Sequence, residues 1–180
     1  MIILDAGHGG RDSGAVNPKI RVMEKDIVLR ITLGVGRGLI RDKYQVVFTR
    51  DDDRFITLQD RLLLTRRLKP KLFISFHVNS VVNPLANGYE TFIRFSKWRN
   101  YQNTIHSEVI NYLRQYKIVD RGQKQGNYLV LNNPEIPSIL VENLFIRNDY
   151  EVGLLTNQNF IEGLVDSYQR SIKTAYEVFS

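Results

Sequence analysis

Two stretches of the chain share one grammar: MIILDAGHGG at residues 1–10 and KLFISFHVNS at residues 71–80. Each opens as a short apolar run that reads as a buried strand, and each runs into a histidine, His8 in the first and His77 in the second. The chain holds only three histidines in 180 residues, so two of them stand in matching places. Open α/β sheets bind ligands just outside the carboxyl ends of their strands. Two histidines at strand ends therefore predict a site along one edge of one sheet.

Outward from these stretches, strand-like and helix-like segments alternate. The pattern predicts an α/β fold: a single domain, residues 1–180, with a central twisted, mixed but mostly parallel sheet flanked by helices and the site at the strand carboxyl ends. Ile2 to Asp5 is the first strand, and GHGGRDSGAVNPKIRV after it is a glycine-rich loop. Glu24 to about Arg41 is helical, with Ile27, Ile31 and Val35 on one face. YQVVFTR is a strand and RDDDRF a polar turn. Thr57, with Asp60 three residues on, opens a helix that stops before Pro70. GYETFIRF is a strand, Trp98 to Tyr116 a helix, NYLVL and PSILVE two short strands. A last helix from about Asn157 to Phe179 turns Phe160, Leu164, Tyr168 and Ile172 inward.

Hydrophobic residues at 43% and charged residues at 24% are ordinary for a globular chain, and no apolar run has membrane-spanning length. Without cysteine, disulfide frameworks and thiolate metal sites are excluded. The charge of +6 suits an anionic partner such as nucleic acid, acidic lipid or an anionic cell wall, or simply solubility. No tight basic block with interleaved aromatics speaks for nucleic acid, which is not expected as a partner. Met1 leads straight into a strand with no charged lead and no cleavage site. The expectation is a protein that reaches its substrate after lysis, or a piece of a longer exported protein.

The apolar run PSILVE ends in Glu142, and Glu24 opens the first helix where the glycine-rich loop returns. Two imidazoles and one carboxylate, with a position left for water, are the donor set of a catalytic zinc site. A further carboxylate is what such a site needs as general base. The residues alone do not say which glutamate binds and which reacts. His106, mid-helix in TIHSEVI, reads as a surface or packing residue. GVGRG at residues 34–38 follows no strand and is no phosphate loop, and Asp51 to Asp53 read as a solvated turn. HExxH is absent, and GHGG has no nucleophile serine to serve.

Seven segments, IILDAGHGGRDSGAV, MEKDIVL, FTRDDDRFITLQDR, FISFHVNS, GYETFI, DRGQKQGNYLVL and IPSILVENLFIRN, follow in order between residues 2 and 148 and carry a resemblance over essentially the whole chain. In these the chain resembles the zinc-dependent N-acetylmuramoyl-L-alanine amidases of the Amidase_3 family, in the manner of phage endolysin or spore mother-cell lytic catalytic domains. The resemblance implies one zinc per chain on His8, Glu24 and His77, with Glu142 as the catalytic acid. It implies peptidoglycan as substrate and the amide between N-acetylmuramic acid and L-alanine as the bond cut. Leu144 stands where the family commonly has glycine. Asp5 is expected either to orient a zinc histidine or to tie down the glycine-rich loop. Asn79 either touches substrate or shapes a turn, and Arg121 is a candidate for stem-peptide carboxylates. Some family members carry an extra helix that occludes the metal until a partner removes it. Here the interval from His77 to Glu142 is filled by ordinary elements, so an open site, no activator and a monomer are expected. Another zinc-dependent wall peptidase or deacetylase, and a wall-binding module without catalysis, are the competing readings.

Overall fold

The computed structural model describes residues 1–179. Six strands form one sheet: β1 (Ile2–Ala6), β2 (Val46–Phe48), β3 (Leu72–Asn79), β4 (Tyr89–Ile93), β5 (Asp120–Gln125) and β6 (Ser138–Phe145), in the order β2-β1-β3-β6-β4-β5. Pairing is parallel except between β4 and β6. Five helices accompany it: α1 (Glu24–Arg41), α2 (Leu58–Leu68), α3 (Arg99–Leu113), α4 (Asp149–Thr156) and α5 (Gln158–Phe179). The mixed, mostly parallel α/β sheet expected from the sequence is the one observed.

Strand parity divides the residues between two layers, because successive side chains point to opposite faces. Ile2, Leu4 and Ala6 of β1, Leu72, Ile74, Phe76 and Val78 of β3, and Ile139 and Val141 of β6 enter the larger core. There they meet the apolar stripes of α1, α3 and α5, including Ile31, Val109 and Leu164. The opposite parity, Ile3, Phe73 and Leu140, packs under a short 3-10 turn at Leu129–Leu131 and against Leu64 and Leu68 of α2. Toward the carboxyl edge this second parity turns polar: Asp5, Ser75, His77, Glu142 and Glu90. Of that row Asp5, Ser75 and Glu90 are buried, while His77 and Glu142 stay partly exposed.

Three expectations need correction. β3 continues through His77 to Asn79, so His77 projects from within the strand rather than from just past its end, and β6 runs on beyond Glu142, the expected last residue of its strand, to Phe145. NYLVL is not a strand: its apolar residues cap Ile3, Phe73 and Leu140 from a 3-10 turn. The sixth strand is the polar DRGQKQ, an exposed edge.

Leu144 lies at φ +66, in the left-handed region, with its side chain fully buried in the larger core. An L residue held there stores about 1–2 kcal/mol, while its burial contributes about 1.5–3 kcal/mol. Leu144→Gly should relieve the backbone and open a cavity, for a net loss of about 1–3 kcal/mol. Urea unfolding checks this, and a midpoint equal to or above that of the parent chain would contradict it.

Candidate active site

The glycine-rich loop brings His8 to the sheet edge in a left-handed conformation, φ +60. Gly9 and Asp12 pair within the loop, and the carbonyls of Ala6, Gly7 and His8 are taken by two buried arginines. Arg50 donates from Nε to Ala6 O (3.0 Å) and from Nη2 to Gly7 O (2.8 Å) and Lys25 O (2.8 Å). Arg61 donates from Nη1 to Ala6 O and from Nη2 to His8 O, both at 2.6 Å. Asp5 pairs with Arg61 and accepts from Thr49 Oγ1 (2.6 Å) and Ser75 Oγ (2.5 Å). Burial alone would raise the Asp5 carboxyl; Arg61, with Ser75 and Thr49, brings it below the ordinary range instead. Of the two roles expected for Asp5, its hydrogen bonds match the anchoring of the loop.

Glu24, the first residue of α1, meets both histidines. Its Oε1 lies 3.1 Å from His8 Nε2 and 3.0 Å from His77 Nδ1, and accepts from Val78 N at 3.0 Å. Its Oε2 accepts from Ala15 N at 2.9 Å. Behind His8, Asp12 Oδ2 sits 2.9 Å from Nδ1 and orients the ring so that Nε2 faces the cluster. The loop's glycines make room: a Cβ on Gly7 would fall 2.4 Å from His77 Cε1, and one on Gly14, at φ +61, 2.7 Å from Glu24 Oε2.

The three donor side chains offer ligand atoms within 4.8 Å of one another. Tetrahedral zinc with bonds near 2 Å sets its ligand atoms about 3.3 Å apart, close to the separations about Glu24. The electrostatics agree. Burial would lower the His8 imidazole, but the hydrogen bond and charge of Glu24, with Asp12 behind, push it up to about 9. His77 is raised against its own burial, chiefly through its hydrogen bond to Glu24 and the charges of Glu142 and Glu24. Glu24 is held far below the carboxylate range by the two histidines despite burial. A cluster that attracts protons this strongly attracts a dication by the same field, and the residues present fit zinc.

Glu142 stands in the opposite environment. It is the register partner of His77, so the two side chains lie side by side on one face. Its Oε2 is buried with no hydrogen-bond partner. Burial pushes its carboxyl up to about 7, against the pull of His77 and helped by the charges of Glu24 and Glu90. The two glutamates that sequence could not tell apart are thus driven in opposite directions, the usual mark of a division of labour. Two recesses flank the cluster. One of about 200 Å³ is lined by His8, Asp12, Phe55, Arg61 and His77, and one of about 240 Å³ by His77, Tyr128, Leu129, Val130 and Glu142. Leu58 forms part of both walls.

Asn79 and Arg121 converge on a residue the sequence did not single out, Glu90. Asp12, Arg50 and Arg61 were likewise not singled out; Asp12, four residues past His8 in HGGRD, is the one that local spacing could have flagged. His106 is buried, with Nδ1 3.1 Å from Thr91 Oγ1 and Nε2 2.9 Å from Asp120 Oδ1, and ties α3 to β4 and β5. Asp51 to Asp53 are exposed and pair with Arg54 and Lys25. A larger cavity of about 480 Å³, between α3, β5 and α5, shares no lining residue with the two recesses.

A mostly parallel sheet with a His–Glu–His cluster and a spare buried carboxylate at its carboxyl edge has the parts of an amide hydrolase. The chain belongs to the N-acetylmuramoyl-L-alanine amidase family Amidase_3, whose profile matches residues 2–174. The endolysin of Bacillus phage SPP1 is 37% identical over 180 residues, covering 96% of this chain and 64% of the endolysin. The chain therefore spans less than two thirds of that relative's length. Among solved structures, the catalytic domain of CwlV, an N-acetylmuramoyl-L-alanine amidase from Paenibacillus polymyxa, superposes with a TM-score of 0.93 at 31% identity, covering 98% of each chain. The CwlD amidase of Clostridioides difficile, solved in complex with the GerS lipoprotein, gives 0.91 at 28% identity over 98% of each chain.

Proposed function

We propose that residues 1–180 form one catalytic domain that hydrolyses peptidoglycan at the amide between N-acetylmuramic acid and L-alanine, using one zinc on His8, Glu24 and His77. The carrying observation is the unpartnered, buried Oε2 of Glu142 beside a three-donor cluster. Zinc bound there would supply Lewis acidity toward the scissile carbonyl and bring the pKa of a water to about 7. Glu142, whose buried Oε2 has no hydrogen-bond partner, accepts the proton of the attacking water and returns it to the departing alanine amine. Asp12 holds His8, and Arg61 with Arg50 fixes the loop that carries it, so the donors need little rearrangement. A relative from Staphylococcus aureus, 29% identical, is named a probable cell wall amidase, LytH, which supports the wall as the place of action here. No helix among the described residues is long and apolar enough to cross a membrane.

His8 and His77 keep 24% and 17% of their side chains exposed, which supports a site reachable without an activator. We read the active form as a monomer. Digestion of purified walls by the protein alone, with zinc and then with a chelator, tests these points together. Alanine amino ends should appear, no new reducing sugar ends should form, and the chelator should stop the release. Amines from bonds within the stem peptide or from deacetylated sugars would favour the competing hydrolases. Release only after a second protein is added would overturn the activator-free reading.

A further inference from the structure

The site face does not end at Glu142. Glu90 on β4 is its register partner on β6, so the two carboxylates are neighbours across the strands. Glu90 is buried and draws three partners: Asn79 Nδ2 at 2.5 Å, Arg121 Nε at 3.3 Å and the Lys124 ammonium. Both cations bear on Glu90, with the carboxyl of Glu142 beside it and that of Glu151 within the field of Arg121. Both stay accessible, with 40% of the Lys124 and 36% of the Arg121 side chain exposed. Both are also steered: Lys124 lies 5.8 Å from the centre of the Phe92 ring and Arg121 4.9 Å from that of Phe145. Tyr128 packs edge-on to Phe92 at 5.1 Å and also lines the recess beside Glu142. An apolar step thus leads from the reacting carboxylate to a cationic pair on the outer strand.

The spacing defines what that pair can hold. β5 lies two strand spacings from β6, about 10 Å. An extended peptide advances about 7 Å over two residues, and the side chains of lysine and arginine close the rest. Building on the proposed amidase activity, we infer that Lys124 and Arg121 form an anion subsite for the second stem-peptide residue, binding the free α-carboxylate of the acidic residue that follows the alanine. The enzyme would then favour walls in which that carboxylate is free over walls in which it is amidated.

The test uses two soluble glycopeptides on the same oligosaccharide, identical except that this carboxylate is a free acid in one and a primary amide in the other. The protein should cleave the acid with a kcat/KM about threefold to tenfold higher, carried mainly by KM. Lys124→Gln combined with Arg121→Gln should bring the ratio close to one. Glu90→Gln removes the competing anion and should widen the ratio, a change that a purely structural role for the cations does not produce. Reading the ratio cancels any effect of Glu90 on its neighbour Glu142. Equal rates on the two substrates, or a ratio unmoved by the paired substitution, would overturn the subsite and leave the amidase reading standing. Cleavage of neither substrate by the parent protein would overturn that reading, and the subsite with it.

Discussion

Glu142→Gln should retain zinc and fold normally while hydrolysing walls about 10²–10⁴-fold more slowly. The amide has the shape of the carboxyl but cannot accept the proton of an attacking water. Little else changes, because Oε2 of Glu142 has no hydrogen-bond partner to lose. Stability should hold or rise slightly, since the buried carboxylate lies under the like charges of Glu24 and Glu90. Amine release, bound zinc and thermal unfolding measured on one preparation separate a chemical defect from a structural one. A rate within a few-fold of the parent would remove Glu142 from the proton transfer.

His77→Ala should act at the earlier step and leave substoichiometric zinc and no measurable hydrolysis. The ring is one of three donors, and it fills the space above Gly7 that a Cβ would otherwise occupy. Its loss also takes from the buried Glu24 one of its two imidazole partners, which should cost roughly 1–3 kcal/mol of folding stability. Metal analysis after dialysis against limiting zinc is the measurement. Full occupancy in this variant would sink the ligand assignment.

The α/β class and the positions of the candidate residues were legible because each left a local trace. Buried parallel strands read as apolar runs, and His8, His77, Glu24 and Glu142 sit at the ends or starts of such patterns. What escaped was set by tertiary context. β5 has no apolar run to betray it, since it is an edge strand whose residues are all polar apart from Gly122. Leu129 to Leu131 are apolar because they lie on Ile3 and Phe73, not because they pair in a ladder. α4 has only eight residues, and Asn157 both ends it and offers its side chain to Phe160 N of α5, so the two helices read as a loop and one helix. Arg50 and Arg61 look like surface cations in sequence, and only the crowded carbonyls of residues 6–8 explain their burial. Glu90 becomes visible once β4 runs antiparallel beside β6.

The place of β6 between β3 and β4 has a consequence for the timing of activity. A nascent chain can pair β1, β2 and β3 soon after they emerge, and His8, Glu24 and His77 can then gather. The fourth group waits for a strand that must enter the middle of the sheet, with β4 and β5 already made and still unattached to β3. Such late, non-local pairing is the slow part of folding. Growing or truncated chains that lack this strand lack Glu142 and, on its proposed role, should be inert toward amide bonds. Glu142 comes to lie beside His77 with the pairing of β6 to β3, the step that joins the two parts of the sheet.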